Sequence, residues 1–451
     1  MLQFLKSAVK IGARTRFGAR LLAEWLSRRF EPIGDIQAER PTVLVLNPNR
    51  WRQDLAALTR TGRFNLTALD PEAQGSVHRL FPQARIDSAT EYFLETDPEI
   101  WNQRQNRVRF MRRIVRLLRD RHDIQAVITP AIHYKIDLPW CEACEAEDIP
   151  FITLHKEFTV IDERQLAERI ELWRNRKFRY LGRHLCVSNE NARRLFRDSG
   201  VVDESRVSVT GVMRIDNIAR QDSSYRIPPD PSRPTITLFS FGHLTGPFAT
   251  TDTRSHYFSR LGNEGFVELF RDVHVAFAEL ALANSNVRFV MKLKNHEKWW
   301  IDEIEAVLRE TLDKSIAEIP NLELSTQWAP ELIQRSMAVI ALNSTVVLEA
   351  RLLGRNTIIP VFAEAAGRYA DHVYFHRYLD LFAVAASKSA VKDYVQRALR
   401  GERLHENDTA RLSEMFTYYL GGDDGQAAER ASVVISNCIS NTGSKGYSPV
   451  G

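Results

Sequence analysis

Short runs of β-branched and apolar residues alternate along this chain with longer stretches of helical periodicity, and the alternation occurs twice. The first series runs from residues 42–46 to 206–210, and the second begins at 235–239. Such alternation is typical of βαβ units that build a parallel sheet. Residues 219–234 lie between the two series and contain four prolines but no apolar run. The pattern therefore predicts two α/β domains joined by a linker.

The chain length fits this division, because one hydrophobic core rarely serves more than about 300 residues and the chain has 451. We expect two Rossmann-like domains that face a cleft, with helical additions at both ends. The predicted segments are a basic amphipathic N-terminal helix at 1–39, a first domain at 40–218, the linker at 219–234, a second domain at 235–400, C-terminal helices at 401–440 and a flexible tail at 441–451.

The periodicity also predicts individual elements. The predicted strands are 42–46, 126–129, 151–154, 184–187 and 206–210 in the first domain, and 235–239, 287–292, 322–324, 338–342 and 357–361 in the second. The main predicted helices are 97–122, 163–179, 266–283 and 301–312. A further helical pattern at 409–440 is interrupted by Gly421 and Gly422.

The first 30 residues are basic, with seven lysines and arginines against a single acid, Glu24. Apolar residues recur among them at helical spacing. A helix of this kind can lie on an anionic membrane surface. A helix docked on the first domain, with a solvated basic face, would show the same pattern. Both interpretations remain open on the sequence alone.

Several classes of protein are disfavoured. A net charge of +4 is small for this length and does not imply a nucleic-acid partner. Lys6 and Lys10 interrupt any apolar core of a secretory signal, and no stretch reaches the ~18 apolar residues of a spanning helix. The expected location is therefore the cytoplasm, with peripheral contact at the inner membrane as a further hypothesis.

We expect neither a metal nor a cofactor. Cys141 and Cys144 form a C-x-x-C motif, but it lies in a helical stretch and lacks a second ligand pair. The absence of any Asp-x-Asp motif favours cation-independent chemistry. No Walker loop, convincing dinucleotide fingerprint or nucleophile elbow is present, which disfavours kinases, dehydrogenases and α/β-hydrolases.

The most informative candidate site follows the strand predicted at 338–342. Asn343, Ser344 and Thr345 come directly after it, and Glu349 lies one turn into the next helix. Small hydroxyl residues at a helix start present backbone N–H groups to a phosphate or pyrophosphate. An ordinary N-cap, with Glu349 complementing the helix dipole, would have the same residues.

Two further strand ends of the second domain carry candidate donor-binding residues. Lys292, Lys294 and His296 end the strand at 287–292 and could offset charge on a leaving phosphate. A solvated polar turn is the alternative. Gly242 and His243 lie in a glycine-containing turn after the strand at 235–239, where backbone could approach a ligand. A plain loop is the alternative there.

The first domain offers residues for an acceptor. His133 and Tyr134 follow the strand at 126–129, and His155 and Glu157 follow the strand at 151–154. A transferase needs a base near the acceptor hydroxyl, and His155 or Glu157 could act as one. Glu157 also stands beside Lys156, so a simple salt bridge is the alternative.

Two segments give the chain a family resemblance. The segment LCVSNENARRLFRDSGVVDESRVSVTGVMRIDNI contains Ser188, Gly200, Gly211 and Asp216, and the segment ALNSTVVLEARLLGRNTIIP contains the Asn-Ser-Thr triplet. Together they resemble GT-B-type glycosyltransferases, in particular bacterial capsule and surface-polysaccharide enzymes related to Kdo transferases and CDP-glycerol glycerophosphotransferases. The likeness spans about residues 40–400. The relatives commonly carry Lys-x-His-Pro, whereas no proline follows His296 here.

The resemblance implies a nucleotide-sugar donor in the second domain, a glycan or glycolipid acceptor in the first, and no obligatory metal. It implies contact of Glu349 with the nucleotide ribose or a role in shaping the helix start. The leading hypothesis is a glycosyltransferase of surface-polysaccharide assembly. The alternatives are a nucleotide-sugar 2-epimerase, which shares the fold, and a non-catalytic scaffold of the same fold.

Overall fold

The computed structural model describes residues 16–79, 96–157, 160–220, 228–245, 264–293, 298–406 and 408–442. The described residues divide into two compact units, which we call the first and the second domain. The first contains the residues up to 157, those from 166 to 216, and those from 417 onwards. The second contains 160–165 and 217–416. Each domain is built on one sheet.

The first domain alternates strands and helices as the sequence predicts. Its strands are β1 (Phe30–Ile33), β2 (Thr42–Val45), β3 (Asn65–Leu69), β4 (Ile124–Thr129), β5 (Phe151–Leu154), β6 (His184–Val187) and β7 (Val207–Val209). Its helices are α1 (Arg16–Ser27), α2 (Arg52–Thr59), α3 (Pro71–Arg79), α4 (Pro98–His122), α5 (Leu138–Ala146), α6 (Glu163–Asn175), α7 (Glu190–Asp198) and α8 (Asp216–Ala219).

The strand order in the first sheet is β1-β3-β2-β4-β5-β6-β7. All neighbouring strands are parallel except β1, which pairs antiparallel with β3 at the edge. The order reverses between β2 and β4, because β3 lies on one side of β2 and every later strand lies on the other. In open α/β sheets such a reversal, or switch point, marks the usual ligand crevice.

The second domain continues this alternation. Its strands are β8 (Thr235–Phe239), β9 (Arg288–Lys292), β10 (Leu322–Ser325), β11 (Ser336–Ala341), β12 (Asn356–Pro360) and β13 (Ala383–Ala385). Its helices are α9 (Val267–Ala283), α10 (Lys298–Leu312), α11 (Ala329–Arg335), α12 (Val346–Leu352), α13 (Lys388–Leu399) and α14 (Thr409–Leu420); α14 leads through Gly421 and Gly422 to α15 (Ala427–Ser440) in the first domain.

The second sheet is parallel throughout, in the order β10-β9-β8-β11-β12-β13. This is the 3-2-1-4-5-6 order of the doubly wound dinucleotide-binding fold, and its switch point lies between β8 and β11. Its central strands β8 and β11 are buried on both faces, as expected for a parallel sheet covered by helices. The predicted α/β class with two Rossmann-like domains is confirmed.

The N-terminal region differs from the expected helix at 1–39. Helix α1 ends at Ser27, and Phe30–Ile33 instead pairs with β3 at the sheet edge, where Pro32 costs no internal hydrogen bond. The apolar side of α1 packs into the first domain, with Leu22 and Leu26 buried there. The apolar face of α1 is therefore docked on the first domain. Residues 1–15 lie outside the described part of the chain.

The C-terminal helix returns to the first domain. Ala428, Ala431 and Ile435 of α15 pack in the same apolar cluster as strands β2, β4 and β5. The carboxylate of Asp216 accepts hydrogen bonds from the backbone N–H groups of Ala427 and Ala428, at 3.2 and 2.8 Å. Asp216 therefore anchors the start of α15. The predicted tail is described only as far as residue 442.

Candidate ligand sites at the two sheet edges

The carboxyl ends of three neighbouring strands of the second sheet lie in one row. Phe239 of β8 pairs with Lys292 of β9 on one side and with Ala341 of β11 on the other. The residues that follow these strands therefore emerge at one edge, around the switch point between β8 and β11. Because ligands of open α/β sheets bind there, this edge is the candidate site of the second domain.

Asn343, Ser344 and Thr345 connect β11 to α12 at this edge. Asn343 has a left-handed backbone, with φ of 50°. Its Nδ2 donates to the carbonyl oxygen of His372 at 2.9 Å, and its Oδ1 accepts from the backbone N–H of Tyr374 at 2.8 Å. The amide thus fixes the neighbouring loop. Ser344 and Thr345 are half-buried and carry hydroxyl groups directly before α12.

Gly242 and His243 follow β8 and are both buried. Burial lowers the pKa of His243 to about 4, against a smaller opposing effect of Glu364. The carbonyl oxygen of His243 accepts from the backbone N–H of Phe266 at 2.8 Å, which fixes the turn against the start of α9. His243 is therefore uncharged at neutral pH and adds no positive charge to the edge.

A polar chain that the sequence analysis missed lies beside this turn. Trp300 Nε1 donates to Ser240 Oγ at 3.0 Å, and Ser240 Oγ lies 2.8 Å from Nε2 of His274. Nδ1 of His274 lies 2.7 Å from the carbonyl oxygen of Phe270. Burial lowers the pKa of His274 to about 4, so the ring is neutral and Nδ1 is the atom that donates. The chain ties the end of β8 to α9 and α10.

The remaining predicted donor residues differ in their environment. Lys292 is half-buried, burial lowers the pKa of its ammonium, and its Nζ donates to the carbonyl oxygen of Leu293. Glu349 is almost enclosed within α12, with 6% of its surface exposed. Lys294 and His296 lie outside the described residues. The edge thus joins Lys292, the Gly242–His243 turn and the Asn-Ser-Thr triplet.

At the edge of the first sheet, the predicted acceptor residues come together. The rings of His133 and His155 are 6.0 Å apart, and those of His133 and Tyr134 are 5.1 Å apart. The guanidinium of Arg50 lies 4.6 Å from the Tyr134 ring. Burial lowers the pKa of His133, and burial together with His133 lowers the pKa of His155 to about 3. His155 is therefore neutral and a weak proton acceptor.

Glu157 forms an ion pair with its neighbour Lys156, with Oε1 2.9 Å from Nζ. Burial acts to raise the pKa of Glu157, but the charge of Lys156 and its hydrogen bond outweigh burial and lower that pKa to about 2. A general base works best when its pKa lies near the operating pH. In this arrangement Glu157 is a charged partner of Lys156 with little basicity.

The switch point of the first sheet is filled by a buried carboxylate. Asp137 accepts from Nδ2 of Asn47 at 2.8 and 2.9 Å, from Nε2 of Gln74 at 2.6 Å and from Oγ1 of Thr129 at 2.5 Å. Burial raises the pKa of Asp137 to about 6, although these hydrogen bonds oppose the rise. The carboxylate is enclosed and locks the ends of β2 and β4 together.

Sequence reasoning missed this network because its members are far apart in the chain. Asn47 lies in the turn after β2, and Asp137 lies eight residues after the end of β4, so only the sheet brings them together. Asparagine directly after a strand, in a position that needs a left-handed backbone, is the one local signal. Within the described ranges, no group of three or more potential metal ligands occurs.

The topology assigns the chain to α/β proteins with two Rossmann-like domains. No protein-family model matches it, and a search of curated proteins finds no significant match. Similar solved structures are UDP-GlcNAc 2-epimerase from Neisseria meningitidis (11% identity, 89% of this chain and 100% of that chain, TM-score 0.45), a glycosyltransferase from Rickettsia africae (9%, 89% and 100%, 0.46) and a variant of the wall teichoic acid polymerase TagF (11%, 97% and 98%, 0.47). At these levels the likenesses assign no activity.

Among the described helices, none combines the length and the apolar character needed to cross a membrane. The four cysteines are buried and form no disulfide. Cys141 and Cys144 lie in α5, and burial raises the pKa of both thiols. They are therefore packing residues in the first domain.

Proposed function

We propose that this protein is a metal-independent glycosyltransferase that moves a sugar from a nucleotide-sugar donor to a surface-polysaccharide or glycolipid acceptor. The donor is bound at the edge of the second sheet, and the acceptor by the first domain. The observation that carries the proposal is the contrast between the two switch points. The first is filled by the Asp137 network, whereas the second leaves the small hydroxyl residues Ser344 and Thr345 half-buried.

The residues that follow the switch-point strands β2 and β11 support donor binding at the second sheet rather than at the first. The first domain reads Leu-Asn-Pro-Asn after β2, and the second reads Leu-Asn-Ser-Thr after β11. Pro48 has no backbone N–H, whereas Ser344 and Thr345 each add a hydroxyl to a backbone N–H. Phosphate oxygens need such donors. The second edge therefore suits a diphosphate better than the first.

Positive charge near the second edge completes the proposed donor site. Lys292 ends β9 in the same row as the last residues of β8 and β11. With Lys294 and His296, which follow it in the sequence, it would offset charge on the leaving nucleotide. Gly242 and His243 would contact the donor from β8. Asn343 and Glu349 would act by shaping the loop and the start of α12.

The first experiment is a nucleotide panel measured by calorimetry in the presence of EDTA, with CMP, CDP, UDP, GDP and their sugar conjugates. We expect one nucleotide to bind selectively. The double variant Ser344→Leu and Thr345→Leu should weaken that binding by about 100-fold, as expected when two hydrogen bonds to a charged group are lost. The melting temperature of each variant shows whether it is folded.

Ser389→Leu serves as the matched control, because Ser389 is exposed on α13 of the same domain. It should leave nucleotide affinity unchanged. Equal affinity of the double variant and the unaltered protein would remove Ser344 and Thr345 from the site. Failure of the folded protein to bind any nucleotide would favour the scaffold hypothesis.

The 2-epimerase alternative is distinguished from the transferase proposal by the products that each reaction forms. An epimerase converts the nucleotide sugar to its isomer in the absence of any acceptor, whereas a transferase releases free nucleotide only as the acceptor is consumed. Incubation of the bound donor with and without a lipid-linked glycan, followed by chromatography of the sugar nucleotides, distinguishes the two. Acceptor-independent isomer formation would replace the transferase proposal.

The exposed side of helices α1 and α4 supports peripheral contact with an anionic membrane. Residues 98–122 contain eight arginines and two acids. Arg109 and Arg113 are exposed, and Leu117 continues their stripe at helical spacing. Leu21 of α1, which packs against α4, is also exposed, with 46% of its surface accessible. Arginines with interspersed apolar side chains suit an anionic lipid surface.

Sedimentation with vesicles tests this contact. We expect binding to vesicles that contain anionic phosphatidylglycerol and little binding to pure phosphatidylcholine. The charge reversals Arg109→Glu and Arg113→Glu should abolish it. The reversals Arg60→Glu and Arg335→Glu, at exposed arginines elsewhere, should retain it. Equal loss in both pairs would show that only net charge matters and would refute the surface.

A further inference from the structure

A small cavity opens at the carboxyl ends of β5, β6 and β7 in the first domain. The space between its lining residues is about 290 Å³, a volume that includes open solvent. Its polar and charged lining residues are Asp54, His155, Lys156, Ser188, Thr210 and Arg214. All of these residues belong to the first domain. Asp54 and Ser188 are not among the predicted site residues, although Ser188 lies in the segment that carries the family resemblance.

Ser188 is the unusual member of this lining. Only 2% of its surface is exposed, and its Oγ has no hydrogen-bond partner within the described ranges. A buried hydroxyl without a partner is unfavourable, because it has given up its hydrogen bonds to water and gained none in return. Most buried hydroxyl groups in proteins avoid this cost by bonding to backbone or to water. The hydroxyl of Ser188 therefore lacks a partner that a bound molecule would supply.

The backbone around Ser188 is held by close glycine contacts. A side chain at Gly421 would lie 2.3 Å from the carbonyl oxygen of Ser188 and 2.8 Å from Cα of Gly211. Both glycines have positive φ, of 76° and 91°. The turn before α15 and the turn after β7 can thus pack directly against Ser188. This packing fixes the wall of the cavity.

Asp54 supplies a hydrogen-bond acceptor in the same lining. It lies in the first turn of α2 and is 4% exposed, and its Oδ1 accepts from the backbone N–H of Arg214 at 3.0 Å. Burial raises the pKa of this carboxyl, while the charges of Arg214 and Lys156 oppose the rise. Lys156 itself is paired with Glu157. The Asp54 carboxylate would repel an anion, and an apolar group would leave the hydroxyl of Ser188 without a partner.

We infer that this cavity binds one hydroxyl group of a neutral sugar, which donates to Asp54 and accepts from the Oγ–H of Ser188. A hydroxyl is the common group that can both donate and accept in this way. The inference rests on the proposed function, since the sugar would be part of the acceptor. It adds to that function two specificity-determining residues and a limit on what the acceptor can be at this position.

The experiment measures sugar binding without any nucleotide. Saturation-transfer NMR on the full chain compares glucose and N-acetylglucosamine with the single-deoxy analogues of glucose. We expect removal of one particular hydroxyl, and only that one, to weaken binding by about 10-fold, the effect of one lost hydrogen bond. Ser188→Ala should weaken glucose binding by a similar factor and abolish discrimination against that analogue.

Ser199→Ala is the matched control. Ser199 is also buried, but its hydroxyl donates to the carbonyl oxygen of Leu195 at 2.6 Å. We expect Ser199→Ala to lower the melting temperature and leave sugar binding intact. Ser188→Ala should have the opposite pattern, because its hydroxyl has no partner to lose in the unliganded protein. Asp54→Asn should also weaken sugar binding while the protein stays folded.

Two results would overturn the inference. One is that the folded protein binds none of these sugars. The other is that Ser188→Ala and Asp54→Asn bind every sugar as the unaltered protein does, as expected if the cavity holds only water. Both readouts are independent of the donor panel, so a failure here differs from a failure of nucleotide binding.

Discussion

The residues that follow the switch-point strands are similar in the two sheets, but their side chains make different contacts. Each switch point has a leucine and an asparagine after a strand, and both asparagines, Asn47 and Asn343, adopt a left-handed backbone. Asn47 donates to the buried carboxylate of Asp137, whereas the amide of Asn343 bonds to backbone groups of residues 372 and 374. A left-handed asparagine therefore joins a buried polar network at the first switch point, whereas at the second it holds the loop at residues 372–374.

The difference teaches where to look for a ligand. A switch point whose polar groups satisfy one another has little left to offer a substrate. In the first domain, a buried hydroxyl without a described hydrogen-bond partner is found elsewhere, at Ser188 directly after β6. In the second domain the hydroxyl residues stay at the switch point itself. The comparison predicts that substitutions at the first switch point affect stability, and that substitutions at the second affect ligand binding.

Loss of the Asp137 carboxylate should have the largest effect on stability, and it tests whether the network closes the first switch point. Asp137→Ala would leave the buried donors of Asn47, Gln74 and Thr129 without their acceptor. Each such donor costs about 1–3 kcal/mol, so we expect at least about 3 kcal/mol of lost stability. Urea unfolding measures this loss of stability. Asp35→Ala is the control, because Asp35 is exposed and its replacement should leave stability unchanged. A loss below about 1 kcal/mol would show that the network does not close the edge.

A glycine pair separates close packing from backbone strain. Gly421 and Gly401 both have positive φ, but a side chain at Gly401 would meet no atom within 4 Å. Gly401→Ala should cost about 1–2 kcal/mol for the left-handed backbone alone. Gly421→Ala should cost about 1–3 kcal/mol more, because its side chain would collide with Ser188. Equal melting temperatures of the two variants would contradict the packed cavity wall.

The pH dependence of stability should have opposite signs at the two edges. The pKa of Asp137 is raised to about 6, so its contribution is present below pH 4 and is lost as the pH rises through 6. The pKa of His274 is lowered to about 4, so its contribution is present above pH 6.5 and is lost as the pH falls towards 4. The effect of each is at most about 1.4 kcal/mol per pH unit.

Urea unfolding between pH 4 and 7 measures these contributions by difference. Relative to the unaltered protein, Asp137→Asn should remove a decrease in stability with rising pH, and His274→Gln should remove an increase. Parallel profiles of all three proteins would mean that neither group changes its protonation on folding. The two edges would then no longer differ electrostatically.

Much of the architecture could be predicted from the sequence. The strands at 151–154, 184–187 and 235–239 have the predicted limits, and the break at Gly421 falls between two helices as expected. These elements are set by local periodicity and by glycine, which act over a few residues. Strands β1, β3 and β13 were missed. β1 and β13 are short, partly exposed strands at the edges of their sheets, where the pattern is weak. β3 lies inside the first sheet, but its five residues include only one β-branched side chain, Thr67.

The positions of the candidate site residues were predictable only in part. The sequence predicted that the Asn-Ser-Thr triplet follows a strand of the second sheet and that His133, Tyr134 and His155 follow strands of the first, and residues after parallel strands share one edge. It did not reveal that the amide of Asn343 is already used, that Asp137 is buried among three donors, or that the hydroxyl of Ser188 has no described partner. These facts depend on residues that are distant in the chain.

By itself, the sequence determined the α/β class, the two domains and the strand ends that carry polar residues, since these follow from short-range patterns of apolar and turn-forming side chains. The tertiary structure decided which of those polar residues satisfy one another. Strand order and helix packing bring distant groups such as Asn47 and Asp137 within hydrogen-bonding distance, and burial then raises the pKa of the Asp137 carboxyl.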